Sequence, residues 1–151
     1  MHFEVLVEDA SGAIMLESFL EKILGSNGQE HTYKIHQYKG IGRIPKNLKG
    51  ETDPKKRILL DQLPRILRGY GRSLKYYNAA VMVVVDLDKK VCTSFKEELV
   101  NILDDCDPKP RTLFRIAIEE MESWLLGDLD AIKKAYPNFK ERILDSYIQD
   151  H

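Results

Sequence analysis

Little in this chain suits cross-linking or soft-metal chemistry. Its 151 residues include two cysteines, Cys92 and Cys106, which lie 14 positions apart. That spacing fits neither a zinc-ribbon nor a thioredoxin-like pattern, so two reduced thiols are expected, as in a cytoplasmic protein. The four histidines (His2, His31, His36, His151) form no ligand pair at helical spacing, which argues against a histidine-held zinc enzyme. No apolar run approaches the ~20 residues a membrane helix needs. The opening MHFEVLVED has no basic stretch followed by an apolar one, so no secretory leader and no membrane partner are expected.

What is present suits a single soluble domain. A chain of this length can bury roughly 68–70% of its unfolded surface, so it needs no staples to fold. The net charge of −1 hides a strong asymmetry. Residues 34–75 carry 12 Lys/Arg against three acids, or +9, and the rest carries 11 against 21, or −10. A basic segment beside an acidic remainder suits a polyanion handled together with a cation: the bases neutralise phosphates and the acids hold the metal. A solvated basic helix with no ligand has the same composition.

Periodicity predicts alternating strands and helices. Phe3 to Val7 reads as a strand. Asp9 and Ser11 are cap types, and Leu16, Phe19, Leu20, Ile23 and Leu24 mark one face of a helix that ends at Gly25. Thr32 to Tyr38 is a second strand, and residues 39–54, rich in Gly, Pro and Lys, form a long loop. Residues 55–70 look helical, with Pro64 expected to kink or restart the helix. Ala79 to Val85 is a β-branched run of the kind buried on both faces of a parallel sheet. Phe95, Leu99, Ile102 and Leu103 mark the next helix, and Leu113 to Ile118 a fourth strand. A helix follows from Glu119 to Leu126, with Trp124 expected in the core, and a short one from Ala131 to Tyr136. The expectation is an α/β, three-layer, Rossmann-like domain over residues 1–136 with a mainly parallel four-stranded sheet. Residues 137–151 would form a C-terminal helical extension that the natural chain continues.

Ligands of open parallel sheets bind beyond the carboxyl ends of the strands. Three of the four strands end in acid: Glu8-Asp9, Asp86-x-Asp88, and Glu119, Glu120 and Glu122. Crowded carboxylates raise one another's pKa values, and a bound divalent cation relieves that cost. Mg²⁺ (or Mn²⁺) takes oxygen ligands and keeps several waters. Asp86 and Asp88, with Glu119 and Glu122, are therefore the candidate metal ligands, and Glu8 the candidate proton acceptor or donor. The same positions also suit helix caps and first-turn acids. The loop Lys39-Gly40-Ile41-Gly42-Arg43-Ile44-Pro45-Lys46 offers Lys39, Arg43 and Lys46 to a phosphate backbone, its glycines permitting close approach. It is neither a Walker loop nor a dinucleotide fingerprint.

The segments VEDASG (7–12), KGIGRIPK (39–46), VVVDLD (83–88) and RIAIEEMESWLLGD (115–128) together resemble the TOPRIM domain over nearly the whole chain. Most similar are small bacterial TOPRIM-like proteins encoded beside an ATPase, relatives of the overcoming-lysogenization-defect nucleases. The resemblance implies that Glu8 is the acid/base glutamate and Asp86 and Asp88 the metal pair. Glu119 and Glu122 would match a further acidic motif of the nuclease-like branch. It further implies a Mg²⁺-dependent nuclease or phosphodiester-transfer enzyme acting on DNA or RNA with an ATPase partner. Two departures stand out: Asp9 and Lys89-Lys90-Val91 occupy places where many family members have glycine. A non-catalytic TOPRIM-like binding or regulatory module is the alternative. A phosphoacceptor receiver fits poorly, because residue 86 lies too late in the chain for its acceptor and strand four ends in glutamates.

Overall fold

The computed structural model describes residues 1–87, 90–118, 121, 124, 127–138 and 140. The elements among them are β1 (His2–Val7), α1 (Ala10–Leu24), β2 (Thr32–Gln37), a 3₁₀ turn (Pro54–Lys56), α2 (Leu59–Ser73), β3 (Ala79–Asp86), α3 (Cys92–Asp104), β4 (Thr112–Ala117) and α4 (Leu129–Ala135). The sheet order is β2-β1-β3-β4 and every pairing is parallel. The alternating βα pattern anticipated this architecture. The strong β-branched run of β3 lies at the centre of the sheet, as its two-sided burial requires.

Side-chain alternation divides the core between the two faces. On one face Leu6, Val81, Val83 and Val85 meet Leu59, Leu60, Leu63 and Leu67 of α2 and Phe95, Leu99 and Ile102 of α3. On the other, Val5, Val7 and Val84 meet Leu16 and Leu20 of α1, with Ala117 and Met121. Each fully buried leucine contributes about 1.5–3 kcal/mol relative to an exposed one. Gly12 lets α1 settle on this second face: a β-carbon there would stand 2.8 Å from Val7 Cγ2 and 2.4 Å from Met121 Cε.

The outer edge of β2 is partly closed. The Asn27 amide acts as a false strand, donating to Tyr33 O and accepting from Tyr33 N, both at 2.9 Å. Arg57 Nη2 donates to Gln37 O at 2.6 Å. Blocking an edge in this way limits unwanted strand pairing.

Three expectations need correction or restriction. The helix expected from residue 55 begins at Leu59, because Arg57 adopts a left-handed φ of 53° that separates the 3₁₀ turn from α2. Pro64 neither ends nor divides α2; it lies in the second turn with its ring buried, where it forfeits only the bond to the Leu60 carbonyl. Trp124 is 41% exposed and not a core residue; one face stacks on Phe19 with centroids 6.5 Å apart. The helix expected from Glu119 to Leu126 and the extension over 137–151 fall largely outside the described residues. Among the described residues no helix is long and apolar enough to cross a membrane.

Candidate active site at the carboxyl end of the sheet

The chain leaves β1 in one direction, through α1 to β2. It leaves β3 in the other, through α3 to β4. The strand order therefore reverses between β1 and β3, and the carboxyl ends of these two neighbours are where open α/β sheets characteristically bind ligands. Glu8 is the first residue beyond β1, and Asp86 is the last residue of β3. The register pairs Val7 with Val84, so both acids leave the sheet within two residue steps of that pair. Neighbouring strands lie ~4.8 Å apart with a rise of ~3.3 Å per residue. The two strand ends that carry these acids are therefore close neighbours in the backbone.

Asp86 is only 8% exposed. Its Oδ1 accepts a hydrogen bond from Met121 N at 3.1 Å, which ties the end of β3 to the segment beyond β4. Glu8 Oε2 is shut off from solvent. The Glu8 main chain is held as well: its carbonyl accepts from Gly40 N at 2.8 Å, and Val7 O accepts from Tyr38 N at 2.9 Å. Asp9 has a different task. It caps α1, accepting from Gly12 N at 2.8 Å and from the Ser11 hydroxyl. The acid pair after β1 is thereby divided: Asp9 caps the helix, whereas a carboxylate oxygen of Glu8 is buried.

The glycine-bearing loop is bound to the fold rather than loose. Lys39 N donates to Arg57 O, Leu59 N to Gly40 O, and Leu60 N to Ile41 O, at 2.8–3.0 Å. Gly40 has φ 124°, a conformation that side-chain-bearing residues rarely adopt. The close approach expected of Gly42 toward a phosphate is made to the protein itself. A β-carbon there would meet Ile58 Cγ2 at 2.0 Å and Asp61 Oδ1 at 2.7 Å, and Arg43 N donates to the same Asp61 oxygen at 3.0 Å. Tyr38, Ile41, Ile44 and Leu48 pack against the α2/α3 core. The side chains of Lys39, Arg43 and Lys46 remain exposed. Glu8, Asp86 and the start of this basic loop thus share one end of the sheet.

Asp88, Glu119 and Glu122 lie outside the described residues. Among the described residues no group of three or more His, Cys, Asp or Glu is gathered closely enough to hold a metal.

A second polar cluster escaped the sequence reading. Glu4, in the middle of β1, receives His36 Nε2 at 2.5 Å and Tyr70 Oη at 3.1 Å on one oxygen, and His2 Nε2 at 3.1 Å on the other. Burial pushes the Glu4 carboxyl up, but the hydrogen bonds of His36, His2 and Tyr70 and the His36 charge outweigh it, so its pKa lies below the ordinary value. Burial, the Glu4 charge and the hydrogen bond to it raise the Tyr70 phenol. The signal was present but depended on register. Glu4 pairs with Lys34 in the β1–β2 ladder, so His36, two residues on, is its neighbour on the same face.

The chain belongs to the family described as Domain of unknown function (DUF4276), whose profile matches residues 7–146. The matched span includes Glu8, Asp86, Asp88, Glu119 and Glu122; Glu4 and His2 fall before it. Comparison with curated proteins and with solved structures gives no match.

Proposed function

We propose that this DUF4276 chain is a Mg²⁺-dependent nuclease or phosphodiester-transfer enzyme acting on nucleic acid, with Mn²⁺ able to substitute. One observation carries the reading. Two carboxylates with separate structural supports, Glu8 and the buried Asp86, stand at adjacent strand ends where the sheet order reverses, beside a loop of exposed cations. The TOPRIM resemblance assigns the same residues the same roles and adds a partner ATPase.

The donor set fits the ion. Both groups offer hard oxygen ligands, and Mg²⁺ is commonly held by one or two carboxylates together with waters and substrate phosphates. Asp86 would hold it, with Asp88, Glu119 and Glu122 as further donors. When bound, the ion supplies charge stabilisation at a phosphoryl oxygen and acidifies water. Glu8 takes or gives the proton. Lys39, Arg43 and Lys46 neutralise the flanking phosphates and fix the strand in register.

The test is cleavage of single- and double-stranded DNA and RNA with Mg²⁺ or Mn²⁺. Glu8→Gln and Asp86→Asn should each lower the rate at least about 100-fold, the scale of a lost acid/base group. Activity equal to the parent in both variants refutes the site. A second reading, a non-catalytic binding module, is favoured by the Met121 N–Asp86 bond, which gives the carboxylate a structural task. It predicts nucleic-acid binding with no metal-dependent cleavage at all.

A further inference from the structure

The opposite end of the sheet carries a cleft of about 240 Å³ with a basic lining. Its walls are the last turn of α2, the start of β3, and the turn that leads into β4. Lys75, Tyr77, Asn78, Lys109 and Arg111 line it, and Gly71 forms part of its floor. Gly71 is where α2 meets the turn before β4, since a β-carbon there would stand 1.9 Å from Pro108 O. The cleft is therefore set by backbone contact between fixed elements.

Three features give the cleft a chemistry. Tyr77 lines it and Tyr76 precedes it in the chain; Tyr76 and Tyr77 are 86% and 72% exposed, far more than a folded domain normally leaves of a large aromatic. Lys75 Nζ lies 5.3 Å from the Tyr76 ring centroid, which places a cation beside the aromatic platform. Arg65, Arg68 and Arg72 follow one another at intervals of three and four residues, and so form a stripe along one face of α2, with Lys75 just past the helix end. That stripe extends about 10 Å along the helix axis and leads toward the cleft. Among the described residues, no carboxylate pairs with Arg65, Arg72, Lys75 or Arg111, whereas Lys109 is held by Asp104 at 2.6 Å and Arg68 lies 3.8 Å from Asp105.

We propose that this cleft and the α2 stripe bind single-stranded nucleic acid, with bases stacked on Tyr76 and Tyr77 and the backbone tracked by Arg65, Arg72, Lys75 and Arg111. Exposed aromatics beside a cationic track are what unstacked bases recognise. Bases inside a duplex do not offer their faces, so a duplex engages the cations alone. The proposal deepens the nucleic-acid reading of the carboxyl-end site by naming the form of the polymer, but it concerns binding and requires no metal.

The experiment is fluorescence anisotropy of a labelled oligothymidylate of about 12 nucleotides, within the site sizes usual for single-strand binders. It is run with chelator present, on the parent chain and on Tyr76→Ala/Tyr77→Ala. Both tyrosines are exposed, and circular dichroism verifies that the variant is folded. The double variant should bind at least about tenfold more weakly, in line with the loss of base stacking. Arg111→Ala and Lys75→Ala should each flatten the dependence of log affinity on log salt by about 0.7. A duplex of equal length should bind more weakly than the single strand. Absence of binding, equal affinity for the duplex, or a double variant that binds like the parent overturns the proposal. Equal binding of poly-glutamate that survives loss of the tyrosines assigns the surface to an acidic protein and likewise overturns it. Metal-dependent cleavage by the parent and by the tyrosine double variant is measured in parallel, so failure here with cleavage intact is distinguished from failure of the catalytic reading.

Discussion

Asp86→Asn separates the proposed metal-holding role from the structural one, because asparagine keeps an oxygen where Met121 N needs an acceptor while replacing the other oxygen, and the charge, with an amide NH₂. The retained acceptor should hold the metal-free variant within about 1 kcal/mol of the parent, the worth of an ordinary hydrogen bond. With metal the two should part. A ligand that binds only the folded state at 100 times its Kd stabilises by about 2.7 kcal/mol. For a domain of this length each kcal/mol moves Tm by roughly 2–4 °C, so saturating Mn²⁺ should raise the parent by about 5–11 °C. Asp86→Asn should lose most of that rise, since a neutral amide is a far weaker ligand for a hard dication. Differential scanning fluorimetry over a Mn²⁺ titration, with Ca²⁺ and Mg²⁺ in parallel, measures it. A parent that shows no shift, or a variant that shifts as much as the parent, refutes the assignment of Asp86 to the ion. A variant that unfolds without metal would show instead that the Met121 contact depends on the full carboxylate.

Replacing Lys39, Arg43 and Lys46 together with alanine should weaken duplex binding across sequences and lower the salt slope by about 2–3, near 0.9 per lost phosphate contact; an unchanged slope places the backbone elsewhere. Gly71→Ala drives a β-carbon to 1.9 Å from Pro108 O, a backbone atom that cannot swing away. It should cost about 1–3 kcal/mol in urea unfolding, and a neutral result would show that α2 slides freely over the turn. Glu4 is held below its ordinary pKa in the folded chain. Its contribution is therefore present above the unfolded value near 4.5 and disappears as pH falls through the lower folded one. Glu4→Gln should flatten the acid limb of the stability curve in that window, and an acid limb as steep as the parent's refutes the coupling.

The fold was legible because its strongest signals were local. AAVMVVV could be buried on both faces only at the centre of a parallel sheet. The i, i+3, i+4 spacing of Leu16, Phe19 and Leu20 fixed the face of α1 that meets it. The placing of Glu8 and Asp86 at one sheet edge was legible for the same reason, since strand ends in a βα repeat must gather at one edge. Contacts made across the ladder were not. The Glu4–His36–Tyr70 cluster depends on which residue of β2 stands beside β1, and no local pattern sets that register. Arg57 was missed because its left-handed φ is imposed by the tertiary path, which returns the loop to Gln37 and Lys39. Trp124 misled because a large aromatic carries a burial expectation, yet stacking on Phe19 satisfies one face and leaves the other in water.

The charge asymmetry gains its meaning from topology. A crossover from β2 to β3 must leave the sheet at the carboxyl end, because β2 is parallel to its neighbours. The loop that begins at Tyr38 is thereby forced to start beside Glu8, and the Gly40 N–Glu8 O bond records that proximity. The same crossover must then return to the amino end before β3 can begin, and α2 is the element that makes the journey. It carries Arg65 and Arg72 along its length and delivers Lys75, Tyr76 and Tyr77 just past its far end. One basic segment of the chain therefore reaches both ends of the sheet. On the proposed reading, a polyanion attracted to the +9 stretch would meet carboxylates at one end and aromatics at the other. A bridging single strand would bind more tightly than either end alone if its length spans the sheet. Affinity for oligonucleotides of increasing length should then rise in a step, and a smooth rise in proportion to charge would show that the two ends act separately.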